Sequence, residues 1–472
     1  MAHMASPPAI QKYDRFIVTC AVNNVPADVD FIKSLEAYAN VNNARIVVIP
    51  IRYKNPTSIF AKEDDGEWWA EDVKKYIVNR RIKVTSKLLI LCDIKTQPTA
   101  SNPLNGYEAI TGSSSAIIGH PKVASCTVPT PQNTLPKLLV TTGCCTLPSY
   151  TESKAGARGA FQHSIGACIV EVDHTCDAFH IRHVAANDDG SFEDLTKIYS
   201  KDGVDNNGGV AALFMGDSHI KFIDPEVVSA TFTSDNAMLK VLNPSLIAWN
   251  DILDCYAISH HHNHDPIIKY AKHHSGHANI GKEMAQVFDF VNGVKSKYPN
   301  VKHLFVPSNH VDHLAKWVKE TDPRNDPENA IIWAGMYTAM CKNAAIGDGG
   351  MTTIDPFVLY AKALIKNKDT SIYLKRGESF SVHNIELGMH GDCGPNGSRG
   401  SRKALDKIGT KSVVGHSHSP GICGGVYQVG TSSRYNLEYA VASPSSWLHT
   451  HCVIYKNGKR TLINIIGDKW CL

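Results

Sequence analysis

The sequence predicts an α/β protein of two domains, and three observations carry that reading. Short apolar runs alternate with amphipathic stretches through the N-terminal third. A polar, glycine-rich stretch at 201–209 (KDGVDNNGG) then changes the character of the chain. Beyond it, successive apolar runs each end in a cluster of His, Asp or Asn. The length of 472 residues, at about 150 per domain, is compatible with two or three domains and with substantial cores.

Taken in order, residues 1–6 read as a cloning remnant and are set aside. Residues 15–21 read as a strand, 28–39 as a helix, 45–51 as a strand, 68–78 as a helix and 87–93 as a strand. Strand, helix and strand in that order predict a parallel layer. From 116 to 183 the runs shorten, and 137–142, 167–172 and 179–184 read as strands of a mixed sheet. No phosphate-binding glycine fingerprint occurs here, so the role of this N-terminal domain, 14–200, is not legible. In the second domain, 210–472, Met284, Val287, Phe288, Val291 and Val294 recur at helical spacing and predict a core-facing helix.

Composition excludes several classes. With 43% hydrophobic and 20% charged residues, 34 Gly and 23 Pro, the chain is not collagen-like, coiled-coil or largely disordered. No apolar run approaches the roughly 18 residues of a bilayer span, and no signal peptide opens the chain, so no membrane partner is expected. The net charge of +3 is too mild to announce a nucleic-acid partner by itself, so any surface for an acidic partner must be a local patch. Thirteen cysteines without a CxxC pair, the adjacent Cys144 and Cys145 included, read as thiols of a reducing compartment and predict a cytoplasmic address.

The chemistry lies at the strand ends. The run 210–215 ends at Asp217, 246–249 at Asp251, 301–306 at Asn309, 385–389 at His390 and 411–414 at His416. Strands fed by helices align their carboxyl ends along one edge, which would converge these side chains. Carboxylate, imidazole and amide oxygen together are the donors of a two-metal site, and they suit manganese, iron or zinc better than magnesium alone. Two ions about 3.5–4 Å apart need a shared ligand, which a carboxylate can be.

Five motifs then stand in order: Gly216-Asp217-Ser218-His219, Asn250-Asp251-Ile252-Leu253-Asp254, Ser308-Asn309-His310, His390, and Gly415-His416-Ser417-His418. In these the chain resembles the calcineurin-like metallophosphoesterase superfamily, from about residue 210 to the C-terminus. The resemblance implies a β-sandwich flanked by helices, here preceded by the N-terminal α/β domain. It implies two divalent ions, most simply manganese, with magnesium, iron or zinc as alternatives. Asp217, His219 and His418 would hold one ion; Asn309, His390 and His416 would hold the other, with Asp251 bridging. A hydroxide held on the metals would attack phosphorus in line, with His310 beside the scissile phosphate, and Asp254 would orient a ligating imidazole. The pattern departs from the superfamily where Asn250 and Ser308 replace glycines, and where Val311 stands at the usual acidic position with Asp312 one place later.

Weaker signals surround this set. His260, His261, His262, His264, His273, His274 and His277 form a His-rich insertion that reads as a polar loop and helix beside the site, with an auxiliary zinc site as the alternative. The stretch 415–419 mimics a nucleophile elbow but lacks its last glycine, which argues against a serine hydrolase. After His390 comes a basic, serine-bearing loop whose Arg399, Arg402 and Lys403 could clamp substrate phosphates. A second basic stretch, 153–159, reads as flexible. The basic loop, the extra N-terminal domain and a resemblance towards the DNA-repair exonuclease branch, including phage enzymes that degrade host DNA, together predict a DNase. DNA would be its partner, the host cytoplasm its address if phage-encoded, and a homo-oligomer its assembly. A phosphodiesterase or phosphatase for a small nucleotide or phosphoprotein, or a metal-binding scaffold, are the alternatives.

Overall fold

The strand Arg15–Val22 is apolar at nearly every position, as a strand covered on both faces must be. In the computed structural model, which describes residues 13–53, 67–132, 134–262, 265–346, 355–437 and 442–472, it lies second in a four-stranded sheet. Residues 1–6 and His264 lie outside the described residues, as does the side chain of His261. Arg15–Val22 pairs in parallel with Arg45–Ile51 through the helix Val29–Asn42, which Asp28 caps at Phe31 N. On its other side it pairs antiparallel with Gly166–Asp173, which in turn pairs with Ala178–Ala185. The sheet is therefore mixed, not a parallel layer.

Two local expectations are corrected. The helix predicted at 68–78 shrinks to Glu71–Lys74. The residues after it are drawn to the edge of Arg45–Ile51, where Val48 N–H donates to Tyr76 O and Val78 N–H to Val48 O; β-branched Ile77 and Val78 suit that pairing. The stretch expected to be flexible at 153–159 belongs to the helix Lys154–Gln162, with Ser153 Oγ accepting from Gly156 N–H. Gly156 is required there because a Cβ would overlap the Thr151 carbonyl.

Past residue 209 the architecture is two sheets face to face with helices on one outer side. Four parallel strands, Ser371–Tyr373, Lys302–Val306, Leu246–Asn250 and Val210–Phe214, are followed in the same sheet by antiparallel Thr450–Tyr455 and Arg460–Asn464. Alternation along these strands divides two cores. Leu213, Ile247, Trp249 and Phe305 face the helices, meeting Val287, Phe288 and Val291 of Ile280–Lys297 and Leu314 and Trp317 of Asn309–Glu320. Ala212, Phe214, Ala248 and Leu304 face the second sheet, meeting Leu387, Val413, Ile422 and Val429.

That second sheet has ten strands and runs across residues 201–209. Ile385–Glu386 and Ser412–Val414 pair in parallel, and Gly421–Cys423 joins antiparallel to Ala124–Val128 of the N-terminal half, with Ile422 opposite Ser125. The stretch 201–209 itself includes the strand Gly203–Asp205 of a small three-stranded sheet. The class is mixed α/β. No helix among the described residues is long and apolar enough to cross a membrane.

Candidate metal centre

Every predicted ligand loop leaves a strand at its carboxyl end. Asp217 and His219 follow Val210–Phe214, Asp251 follows Leu246–Asn250, and Asn309 opens the helix that follows Lys302–Val306. His390 and His416 follow Ile385–Glu386 and Ser412–Val414 of the facing sheet. The loops turn sharply: His219, Asp251, His416 and His418 all have positive φ, between 38° and 76°, which non-glycine residues adopt only at some cost. Such strain concentrates where side chains must be aimed.

Asp217, His219, Asp251 and His418 are buried, and one donor atom from each lies within 4.8 Å of the others. His219 Nε2 stands 3.0 Å from His418 Nε2 and 3.6 Å from Asp251 Oδ2; His418 Nε2 stands 3.0 Å from Asp217 Oδ2. His219 Nδ1–H donates to Asp254 Oδ1 at 2.9 Å, which fixes the ring and directs Nε2 at the cluster. On the other side, His390 Nε2 is 3.6 Å from the same Asp251 oxygen and 3.0 Å from Asn309 Oδ1. The His416 ring centroid lies 5.2 Å from that of His390. His310 is half-buried at the mouth, its Nδ1–H on Asp254 O and its Nε2 3.9 Å from Asp251 Oδ2. Asp251 thus stands between two groups of donors.

The donor set fits divalent cations. His390 commits Nδ1–H to Asn250 Oδ1, so the neutral ring aims a lone pair at the Asn309 oxygen, a contact that a shared cation resolves. His219 and His418 likewise face each other nitrogen to nitrogen with two carboxylates alongside. Imidazole, carboxylate and amide oxygen are ligands of first-row transition metals. The buried group could therefore hold a metal ion.

Burial and the opposed charges of the cluster shift its titrating groups in different directions. Burial alone would raise the Asp251 carboxyl, but His310, His219 and His390 outweigh it and hold the group well below the ordinary carboxylate range. Burial pushes Asp217 up to about 6, against the pull of His390. His219 is raised to about 10: burial opposes its charge, and Asp254 and Asp251 overcome burial. His390 and His418 are lowered, chiefly by burial, and so present neutral nitrogens.

Two residues that stood in the sequence as departures from glycine hold this arrangement. Asn250 Nδ2–H donates to Asp217 Oδ1 at 2.5 Å while its Oδ1 accepts from His390, so one buried amide ties the two donor groups together. Gly415 makes room for it, since a Cβ there would strike both the Asn250 amide and the Asp217 carboxylate. Ser308 Oγ–H donates to Asp251 Oδ1 at 2.5 Å and caps the helix Asn309–Glu320 by accepting from Val311 N–H. That helix directs the positive end of its dipole at the centre. The signal for both residues was a polar side chain at an apolar strand end, where burial demands hydrogen-bond partners. Sequence reasoning also missed Trp447, whose ring centroid lies 4.3 Å from that of His418.

Other candidates lie elsewhere. Asp312 pairs with Arg376, which also holds Asp392 behind the His390 loop. Arg399 and Lys403 are exposed, while Arg402 turns onto Ser125 O. In the insertion, His260 packs 4.9 Å from His313, His273 pairs with Glu328, His274 stacks on Tyr270, and His277 accepts from Lys221. No group of three metal-binding side chains gathers there among the described residues.

The chain is 28% identical over 471 residues to Protein A1 of Escherichia phage T5, covering 98% of this chain and 83% of that protein. No family model matches it, and no solved structure does.

Proposed function

We propose that this protein is a metal-dependent phosphodiester hydrolase of the calcineurin-like type, a DNase with a binuclear manganese centre that acts in the host cytoplasm. The observation that carries the reading is the position of Asp251 Oδ2, 3.6 Å from His219 Nε2 and 3.6 Å from His390 Nε2, as a bridging carboxylate requires. Asp217, His219 and His418 would hold one ion, and Asn309, His390 and His416 the other. Divalent ions supply Lewis acidity at phosphorus and lower the pKa of water towards neutrality.

The chain's own groups do the rest. Asp254 and Asn250 set the tautomers of His219 and His390, so both rings offer Nε2. His310, at the open side, is placed to meet a phosphoryl or leaving oxygen and to give it a proton through Nε2. DNA as substrate is supported by the resemblance to nucleases and by two exposed basic residues after His390, Arg399 on the loop and Lys403 on the short helix Arg402–Asp406.

The test is incubation of linear and supercoiled DNA with manganese, beside Asp251→Ala. Cleavage by the wild type alone is expected, and preference for linear over circular DNA separates exonuclease from endonuclease action. Absence of cleavage with manganese, magnesium, cobalt and zinc refutes the DNase reading. Rapid turnover of bis(p-nitrophenyl) phosphate in that case would assign a small diester instead.

A further inference from the structure

The seam between the two halves of the chain carries a cleft of about 310 Å³. Residues 101–105, Lys122 and 124–126 form one wall, and 401–403 with 422–423 form the other. Lys122 is only 9% exposed, and its Nζ donates to one backbone carbonyl, Ser101 O, at 2.8 Å. Arg402 reaches from the opposite wall, with Nη1 donating to Ser125 O at 3.3 Å, near the limit of a hydrogen bond. Among the described residues neither cation has a carboxylate at ion-pair distance.

Other buried cations also lack a carboxylate but have more acceptors: Lys137 Nζ donates to Glu108 O and Gly112 O, and Lys295 Nζ to Thr370 Oγ1 and Ser371 Oγ. Arg460, a comparably buried guanidinium, donates to Ser412 O at 2.7 Å and Gly425 O at 2.8 Å and lies over the Tyr427 ring at 4.2 Å. Buried Arg182 is matched by Glu171 and Asp194. Arg402 has five N–H donors and one long acceptor, and burial lowers it against only the nearby thiols of Cys126 and Cys423. A cation held away from water with too few acceptors costs free energy that an anion removes. The cleft walls add Ser101, Asn102 and Ser125, whose side chains suit phosphate oxygens. Exposed Lys403 stands on the rim.

We propose that this cleft is an anion site that takes a phosphate group, gripped by Arg402 from the C-terminal half and Lys122 from the N-terminal half. Its position indicates the source. Arg402 lies flat on Gly421, where a Cβ would overlap Nη1, and Gly421 follows closely on His418 of the metal centre. On the phosphodiesterase reading, a polynucleotide strand leaving the metal centre past His418 and Gly421 would meet the cleft with a backbone phosphate. That source rests on the phosphodiesterase reading, whereas the anion site does not. The N-terminal half thereby contributes directly to substrate binding.

The test uses the full chain, a fluorescent 30-nucleotide single strand and chelator to prevent cleavage, read by anisotropy. The double variant Lys122→Gln/Arg402→Gln is expected to bind at least about 10-fold more weakly, and Lys403→Glu about 3-fold more weakly, with a shallower salt dependence for the double variant. Lys403 is exposed, so its variant keeps the test decisive if the double variant fails to fold. If the wild type binds ATP in calorimetry but not the oligonucleotide, and the variants lose ATP, the phosphate belongs to a free nucleotide. Oligonucleotide affinity within twofold of wild type in the folded variants, or a wild type that binds neither probe, overturns the proposal. Hydrolysis of bis(p-nitrophenyl) phosphate by the wild type reports separately on the phosphodiesterase reading.

Discussion

Asn250→Ala isolates the amide that joins the two donor groups. It removes the N–H donated to Asp217 Oδ1 and the oxygen that accepts from His390 Nδ1–H, and Asp217 and His390 are themselves almost fully buried. Solvent cannot replace either bond without a cavity large enough for water. A hydrogen bond to a buried charged acceptor is worth about 2 kcal/mol and a neutral one about 1 kcal/mol. The site therefore loses about 3 kcal/mol of preorganisation, equivalent to about 100-fold in an equilibrium constant. Loss of such outer partners weakens metal binding about 10–100-fold in well-studied sites, so the two estimates agree. The assay is manganese titration by calorimetry, with metal content after dialysis as a second readout; neither depends on the substrate. Manganese affinity within about threefold of wild type, with an unchanged melting temperature, would refute the view that Asn250 organises the centre.

Three further outcomes are expected. Ser308→Ala should destabilise the fold by about 2–4 kcal/mol in denaturant titrations, since it deletes both a helix cap and a bond to the Asp251 carboxylate; a loss below about 0.5 kcal/mol would contradict this. Arg182→Met should cost about 3–5 kcal/mol and be partly rescued by removing Glu171 and Asp194 charges, because the pair would otherwise be left buried without a cation. His120 and His303 are held neutral, lowered to about 4 and about 3 chiefly by burial. Their folded values lie below the unfolded one, so the stability they contribute is complete above about pH 6.5 and is lost as pH falls towards 3–4. At pH 5 the loss is about 2 kcal/mol for each, and melting curves that are flat from pH 7 to pH 5 would exclude it.

Much of the candidate metal centre was legible because each candidate ligand sits just beyond the strand that carries it. Apolar runs such as 210–215 and 246–249 mark strands, and the polar residue that ends each run marks the edge where the side chains meet. The helix face of Met284, Val287, Phe288, Val291 and Val294 was equally local and is wholly buried. Local pattern failed where a neighbour competed. Residues 76–78 have helix-compatible spacing but are taken by the edge of Arg45–Ile51. The stretch 153–159 contains two glycines and is nevertheless helical, because Ser153 caps it and those glycines admit close packing against Thr151 and Tyr150.

The sequence by itself determined the α/β class, the strands that carry the candidate ligands, and the order of Asp217, His219, Asp251, Asn309, His390, His416 and His418 along the chain. These depend on periodicity and on residue type at strand ends, which are properties of a few neighbouring positions. Only the tertiary structure decided that Asn250 holds Asp217 and His390 and Ser308 holds Asp251, that Trp447 lies against His418, and that Lys122 and Arg402 line one cleft. The pairing of Ala124–Val128 with Gly421–Cys423 joins segments nearly three hundred positions apart. No local preference encodes such a register; it follows from burying the apolar faces of both sheets at once and from satisfying the polar groups that burial encloses.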